Sequence, residues 1–288
     1  MILKNTHPLI VLLALGVLLA VNARADFHDH LGMQLWSLRA QIQANGLPAS
    51  LDLIKGWGIT EVESISVAGM TAEQVRAELD KRGLKAVSAH VSYDQMAKDL
   101  PAVIRDVKAL GAQVAICPWI PHEGAFDAAL MRRVADDFNK WGAAFRAEGI
   151  RFGYHPHGYE FVPNGTVGET LLDDLIRATK PENVCYEMDV FWAVHGGGDP
   201  VKLLNKYPTR WVALHVKDMR KGALIGLPKP ESAPDTDNVA VGAGQIDWKA
   251  VLGTAEKIGV TYYILEDETP TPLQCIPASL AYLRALKL

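Results

Sequence analysis

The stretch NVCYEMDVFWAVHGGGDPVKLLNKYPTRWVALHVKDM, residues 183–219, shows how the chain is built. Its apolar run over 183–189 is typical of a buried β-strand and ends in Asp189. A helical pattern follows over 199–207, and a second apolar run over 210–216 predicts another strand. Because a helical crossover returns the chain to the same edge of a sheet, the two strands should be parallel neighbours. This stretch therefore predicts one βαβ unit.

The same alternation continues through the rest of the sequence. We predict strands over 31–36, 61–67, 84–91, 113–119, 150–157, 183–189, 210–216 and 261–266. We predict helices over 48–57, 71–82, 93–110, 127–148, 167–178, 199–207, 247–258 and 272–286. Units of this number and length favour an α/β fold with a closed (β/α)8 TIM barrel over an open doubly wound sheet. No Gly-x-Gly-x-x-Gly follows the first strand, which weakens a dinucleotide-binding interpretation.

The N-terminal residues have the pattern of a secretory signal peptide. Lys4 precedes an uncharged apolar run over 8–21, and Ala-Arg-Ala follows at 23–25. We predict cleavage after Ala25, export to the periplasm and one barrel domain over 26–288, with no stable membrane insertion after cleavage. The alternative is an uncleaved anchor, for which an apolar run of about 14 residues is short, since a span needs roughly 20.

The charge balance argues against a nucleic-acid partner. The chain carries 33 acidic and 29 basic side chains, a net charge of −4. Loss of the signal peptide removes Lys4 and Arg24 and makes the mature chain more acidic still. A nucleic-acid binder usually shows a basic patch or stripe instead. We therefore expect a small-molecule partner.

Polar side chains occur where the predicted strands end, and active sites of (β/α)8 barrels lie at these ends. Asp189, His215 and Glu266 end three successive strands. Each of them alone would be explained by a helix cap or a structural hydrogen bond. Together, the acids would repel one another unless a cation lay among them. Carboxylate and imidazole ligands suit Mn²⁺, Co²⁺, Mg²⁺, Fe²⁺ or Zn²⁺, so we predict one divalent cation.

Four motifs carry a family resemblance: YHPHGYEF at 154–161, EMDVFW at 187–192, LHVKDM at 214–219 and VGAGQIDW at 241–248. With these motifs the chain resembles the xylose isomerase-like TIM barrel superfamily. This superfamily includes sugar phosphate isomerases and epimerases and AP-endonuclease-2-like proteins. The resemblance implies one divalent ion, held by a Glu on strand 5, an Asp on strand 6, a His on strand 7 and a Glu on strand 8.

Carried over by position, the resemblance implies three ligands in this chain: Asp189, His215 and Glu266. Strand 5 departs from the pattern. Many relatives carry the ligand Glu inside this strand, where this chain has His155 or His157. The nearest acid is Glu160. We predict Glu160 as the fourth ligand, with His155 as its substitute.

A cation among carboxylates suits proton abstraction from a sugar. The cation polarises a carbonyl, and a neighbouring base removes the adjacent C–H proton. We therefore expect a sugar isomerase or epimerase, with His157, Lys217 and Glu160 as candidate catalytic groups. The residues expected to contact the sugar are Gln34, Glu63, His90 and Trp192. Export favours a free sugar, an oxidised sugar or a glycoside over a sugar phosphate.

Two other functions stay open at this point. The resemblance extends to proteins that share the His-x-His motif and act in 3-keto-glycoside cleavage, so a keto-glycoside lyase or hydrolase is the first alternative. A non-catalytic, exported sugar-binding barrel is the second. The DNA-repair branch of the superfamily is disfavoured. That branch needs further histidines for a three-zinc cluster, and the residue three positions after Asp189 is Trp192.

Overall fold

The computed structural model describes residues 26–227 and 233–288. The predicted signal peptide lies outside the described residues. Within them, eight strands form a closed barrel. In chain order these strands are β1 (Leu31–Gln34), β2 (Glu61–Ser64), β3 (Lys85–His90), β4 (Val114–Cys117), β5 (Arg151–Tyr154), β6 (Val184–Asp189), β7 (Trp211–Val216) and β8 (Tyr262–Leu265).

The strands follow one another around the barrel in chain order, and β8 closes it against β1. Every neighbouring pair is parallel. The predicted (β/α)8 TIM barrel is therefore confirmed. The carboxyl ends of all eight strands meet at one mouth, where the register pairs Asp189 with His215.

Helices connect the strands around the outside: α1 (Arg39–Gly56), α2 (Ala72–Asp80), α3 (Tyr93–Leu110), α4 (Ala128–Ala147), α5 (Leu171–Ala178), α6 (Val190–His195), α7 (Pro200–Lys206), α8 (Trp248–Ile258) and α9 (Pro272–Ala285). The sequence pattern does not predict the short α6. Asp189 begins this helix, because its carboxylate accepts the backbone N–H of Trp192. Within 26–227 and 233–288, no helix is long and apolar enough to cross a membrane.

Strand β5 is shorter than its apolar run, and this changes the site. The predicted strand reaches residue 157, whereas β5 ends at Tyr154. Pro156 has no N–H to donate to a strand ladder, and Gly158 turns the chain with a φ of 95°. His155 and His157 therefore lie on a loop at the mouth instead of on a strand.

Apolar side chains support this mouth from two sides. Between barrel and helices, Phe138 and Phe145 pack their rings against Phe152 of β5. A separate apolar cluster lies deeper along the strands and consists of Val87, Val114, Ile116, Cys185, Val212, Ala213, Tyr262 and Ile264. Its members precede the polar side chains of the mouth by a few positions. The polar mouth therefore rests on an apolar interior.

Candidate metal centre

Three adjacent strands bring together an aspartate, a histidine and a glutamate. Asp189 ends β6, His215 lies one residue before the end of β7, and Glu266 follows β8. Nδ1 of His215 lies 3.2 Å from Oε2 of Glu266 and 3.8 Å from Oδ2 of Asp189. One ligand-type atom from each side chain lies within 4.8 Å of the others. The structure thus assembles three of the four predicted ligands.

His155 joins this group from the loop after β5. Its Nε2 lies 3.8 Å from Oδ2 of Asp189, and its ring centroid lies 4.5 Å from that of His215. Its other ring nitrogen, Nδ1, lies 2.9 Å from Oε2 of Glu187. We call His155, Asp189, His215 and Glu266 the ligand cluster.

Glu187 brings a second carboxylate behind the two imidazoles. Its Oε2 lies 3.2 Å from Nε2 of His215, besides its contact with His155. Together with His90, these three side chains form another group of ligand-type atoms within 4.8 Å. Each imidazole of the ligand cluster thus directs one nitrogen towards Asp189 and the other towards Glu187. Histidines that bind metals commonly hold their second ring N–H on a carboxylate in this way. Glu187 was not among the predicted site residues, although it shares a strand face with Asp189.

The ligand cluster fits a divalent cation. Its four side chains are all buried. Burial raises the pKa of Asp189 to about 7, and the negative charge of Glu266 adds to this effect. Oδ1 of Asp189 accepts the N–H of Trp192, but in the described part of the chain Oδ2 has no hydrogen-bond donor. A buried, unpartnered carboxylate oxygen that faces two imidazoles is a position that a cation would complete. Two carboxylates with two imidazoles suit Mn²⁺, Co²⁺, Fe²⁺ or Zn²⁺.

Lys217 is buried beside the ligand cluster. Its Nζ lies 3.2 Å from Oε2 of Glu266 and 3.9 Å from Oδ2 of Asp189, and it donates a close hydrogen bond to Glu268. The ammonium group also lies 5.0 Å from the ring centroid of Trp192. Burial opposes the charged form of Lys217, but these carboxylates outweigh burial and raise its pKa. Lys217 is therefore an ammonium at neutral pH and balances the neighbouring acids.

Two further imidazoles flank His155, and both line a pocket that opens over the ligand cluster. The ring centroid of His157 lies 4.7 Å from that of His155, and the ring centroid of His90 lies 5.6 Å from it. Burial lowers the pKa of His157 to about 4. Burial also opposes charge on His90, but the carboxylate of Glu63 outweighs it, and the pKa of His90 rises to about 9. At neutral pH the pocket thus offers a neutral imidazole and a protonated one.

Glu160, the predicted fourth ligand, lies against two tyrosines and not in the ligand cluster. Its carboxylate accepts a close hydrogen bond from the hydroxyl of Tyr154, and the N–H of His157 donates to its Oε1 at 3.2 Å. The hydroxyls of Tyr154 and Tyr159 lie 2.9 Å apart. Because Glu160 sits on a short turn after Gly158, its carboxylate meets these tyrosines instead. We call Tyr154, Tyr159 and Glu160 the tyrosine clamp. His155 takes the place expected for Glu160.

Gln34 and Glu63, two of the predicted sugar contacts, do not line the pocket that opens over the ligand cluster. Both side chains are fully buried. The amide of Gln34 donates to Oε1 of Glu63 at 2.6 Å, while its own oxygen accepts the N–H of Trp36 at 3.1 Å. The Glu63 carboxylate also accepts a hydrogen bond from Ser88 and lies within hydrogen-bond distance of His90 and His215. Neither side chain therefore offers a polar atom to a substrate.

A pocket of about 490 Å³ opens over the ligand cluster. It is lined by Trp36, Ile65, Ser66, His90, Val91, Ser92, Pro118, Trp119, His155, His157, Glu266 and Glu268. Trp36 and Trp119 are 44% and 41% exposed, so both indoles present apolar surface there. The indole N–H of Trp36 donates to Glu268 at 2.8 Å. Glu268, which follows Glu266 by two residues, was not among the predicted site residues. Trp192, a predicted sugar contact, is buried against Lys217 and lies outside this lining.

Comparisons with known proteins place this geometry in a family. The model of the xylose isomerase-like TIM barrel family matches residues 51–286. The chain is similar to the inosose dehydratase of Clostridium beijerinckii, with 23% identity over 223 residues that cover 69% of this chain and 74% of that protein. It spans about half the length of the inosose dehydratases of Clostridium perfringens and Clostridium tetani.

Solved structures share the fold. A sugar phosphate isomerase/epimerase from Parabacteroides distasonis superposes with a TM-score of 0.73 at 24% identity, over 89% of this chain and 98% of that chain. The IolI protein with a binding zinc atom superposes with a TM-score of 0.68 at 14% identity, over 88% of this chain and 95% of that chain. At these identities the likeness concerns the fold.

Proposed function

The chain belongs to the xylose isomerase-like TIM barrel family, and we propose that it is a divalent-metal-dependent lyase that eliminates water from a cyclic keto-polyol or an oxidised sugar. One observation carries the proposal: the ligand cluster adjoins a pocket whose lining includes His157 and His90 on either side of His155. The similarity to inosose dehydratases supports an elimination, because a dehydratase removes water.

The ligand cluster would hold the cation through His155, Asp189, His215 and Glu266. When bound, a divalent cation supplies Lewis-acid polarisation of a ketone oxygen, which acidifies the neighbouring C–H bond. Glu187 lies behind the cluster and keeps its two imidazoles in place. Glu187 receives the second nitrogen of both imidazoles, and Lys217 neutralises part of the charge of Glu266.

The two flanking imidazoles would move the protons. His157 accepts the proton from the carbon next to the ketone, so that C–H bond breaks. His90 gives a proton to the hydroxyl on the following carbon, which leaves as water when its C–O bond breaks. A C=C bond forms between the two carbons, and the product is an unsaturated ketone. This elimination needs one proton acceptor and one proton donor, and the pocket lining offers His157 and His90 for these roles.

The predicted isomerase or epimerase activity shares the first proton transfer and differs in its ending. Those reactions return a proton to carbon, either on the opposite face or on the adjacent atom. We favour the lyase because the inosose dehydratases that this chain resembles remove water. The fate of the proton therefore separates the two reactions.

The experiment incubates manganese-loaded protein with an inosose in D₂O. We expect an unsaturated ketone to accumulate, detected by its ultraviolet absorbance, while unreacted substrate stays unlabelled. His157→Gln should lower the rate by roughly 10²- to 10⁴-fold at unchanged metal content, because it removes the proton acceptor. The matched control is His30→Gln, at the opposite end of the strands beside Glu61, which should react at the wild-type rate.

Two results would overturn the lyase. Deuterium in recovered sugar without loss of water would establish an isomerase or epimerase. Saturable sugar binding without any reaction would establish the non-catalytic binding barrel. Both are read from the same samples by mass spectrometry and calorimetry.

A second candidate is the 3-keto-glycoside lyase or hydrolase, in which the departing oxygen carries a second ring. The specific observation in its favour is the pair of exposed indoles at the pocket, Trp36 and Trp119, since sugar and aromatic rings stack on such faces. The test compares kcat/KM for a keto-glycoside and for the free keto-sugar. Trp119→Ala should lower only the value for the glycoside. Equal loss for both substrates would speak against this candidate.

A further inference from the structure

Glu63 is an acid of the barrel mouth with several hydrogen-bond partners. Its side chain is fully buried at the end of β2. Oε1 accepts from Nε2 of Gln34 at 2.6 Å, and it lies 2.7 Å from Nε2 of His90 and 2.8 Å from Nε2 of His215. Oε2 accepts from the hydroxyl of Ser88 at 2.5 Å. A buried carboxylate with this many partners is fixed in one orientation.

The contact with His215 crosses the barrel. Glu63 stands on β2 and His215 on β7, and β1 and β8 lie between them in the closed sheet. Gln34 cannot turn away from Glu63, because its own oxygen is held by the N–H of Trp36. The neighbouring strands thus hold the Glu63 carboxylate towards the opposite wall.

The two nitrogens of His215 face two different surroundings. Nε2 faces the carboxylates of Glu63 and Glu187, and Nδ1 faces Glu266 and Asp189. We propose that Glu63 is a positioning residue that holds the Nε2–H of His215 and thereby presents the Nδ1 lone pair to the metal. The inference rests on the proposed metal site. It replaces the predicted contact of Glu63 with a sugar.

The chemistry of Glu63 allows charge and geometry to be separated. In Glu63→Gln the amide oxygen can keep the place of Oε1, and the amide N–H₂ can face Ser88, whose hydroxyl also accepts hydrogen bonds. This variant therefore loses the charge and keeps the acceptor. Glu63→Leu removes both. Glu61→Gln, two residues earlier on the same strand, is the matched control, because Glu61 faces His30 and not the ligand cluster.

The experiment titrates metal-free protein with Co²⁺ and follows the visible absorption bands of the bound ion, which also report its coordination geometry. We expect the dissociation constant to rise about 10- to 100-fold in Glu63→Leu, the range typical of lost outer-shell partners. Glu63→Gln should lie between Glu63→Leu and wild type, and Glu61→Gln should match wild type. If Glu63→Leu does not fold, Glu63→Gln carries the test.

The outcomes separate this inference from the proposed function. Wild-type affinity and an unchanged cobalt spectrum in the Glu63 variants, combined with a raised KM, would overturn the positioning role and restore a substrate contact. Wild-type protein that binds no Co²⁺ would overturn the proposed function and this inference together. Weaker binding with an altered spectrum in Glu63→Leu supports the inference whichever reaction the enzyme performs.

Discussion

The ligand cluster and the tyrosine clamp are two buried acidic sites near the same barrel mouth, and they differ in what surrounds the carboxylate. Oδ2 of Asp189 faces imidazole nitrogens of His155 and His215 at 3.8 Å each. Oε1 of Glu160 instead accepts a phenol O–H and a backbone N–H, while its Oε2, like Oδ2 of Asp189, has no hydrogen-bond donor in the described part of the chain. Burial raises the pKa of both acids to about 7. Both acids are thus buried with a raised pKa, and the two imidazoles beside Asp189 distinguish it from Glu160.

The comparison indicates that a metal site needs several lone pairs that point to one position, and that a buried acid alone is not enough. An imidazole nitrogen can give up its proton and bind a cation. A tyrosine hydroxyl next to a buried acid does not readily do so, and the pKa of Tyr154 is raised well above its ordinary value by burial and by Glu160. The tyrosine clamp therefore offers hydrogen-bond donors to its acid, whereas the ligand cluster offers lone pairs to a cation.

Asp189→Asn should have the largest effect, since it removes the charged ligand at the centre of the cluster. We expect the affinity for Co²⁺ to fall by more than roughly 100-fold, beyond the range for outer-shell partners, with loss of turnover. The matched variant is Glu160→Gln, which should bind Co²⁺ with wild-type affinity. Calorimetric titration of metal-free protein measures both. Weaker Co²⁺ binding by Glu160→Gln than by Asp189→Asn would contradict the assignment of Asp189 as a ligand.

His155→Ala should have the next largest effect, because the imidazole completes the cluster in place of Glu160. We expect Co²⁺ to bind about 10- to 100-fold more weakly. His155→Glu should recover most of the affinity, since a carboxylate restores a ligand at this position. Metal content after dialysis is the measurement. Full metal content in His155→Ala would remove His155 from the ligand set.

Lys217→Met should change metal binding in the opposite direction. The ammonium lies 3.9 Å from Oδ2 of Asp189 and repels a cation placed there. Its removal should tighten Co²⁺ binding by roughly threefold to tenfold. Lys206→Met, a surface lysine on α7 paired with Asp173, is the control and should leave the affinity unchanged. Weaker binding in Lys217→Met would mean that the ammonium holds the cluster together.

Glu160→Gln should have the smallest effect, and on stability only. Burial raises the pKa of folded Glu160 from 4.5 to about 7, so the folded protein binds more protons than the unfolded chain between these values. The contribution of Glu160 to stability is complete below the lower pKa and decreases as the pH rises through the higher one. The stability advantage of wild type over Glu160→Gln should thus shrink by about 1–3 kcal/mol from pH 4.5 to 8. Urea denaturation at both pH values measures this change, and an advantage that grows with pH would contradict it.

The sequence predicted the barrel, and the meeting of three strand-end residues at its mouth, for a simple reason. Alternating apolar runs and helical patterns determine the parallel barrel, and the barrel sends Asp189, His215 and Glu266 to one mouth. The position of these three residues can be predicted from their place at the end of a strand alone. The helices were predicted less well, because α6 is only six residues long and begins at the Asp189 cap.

The rest of the site depends on contacts that no local pattern contains. The choice between His155 and Glu160 depends on where β5 stops and how Gly158 turns the chain. The burial of Glu63 depends on partners from three other strands, the most distant being His215. A strand-end acid that faces a substrate and one that supports a ligand look the same in sequence. Only the assembled barrel distinguishes them.

The most direct test is an anomalous difference map from a crystal of the protein soaked in Co²⁺. We expect a strong peak bonded to His155, Asp189, His215 and Glu266, at distances of about 2.0–2.3 Å. Glu63 and Glu187 should stay behind the imidazoles, and Glu160 should stay on its tyrosines. A peak bonded to Glu160, or no peak in the ligand cluster at saturating Co²⁺, would contradict the proposed metal site.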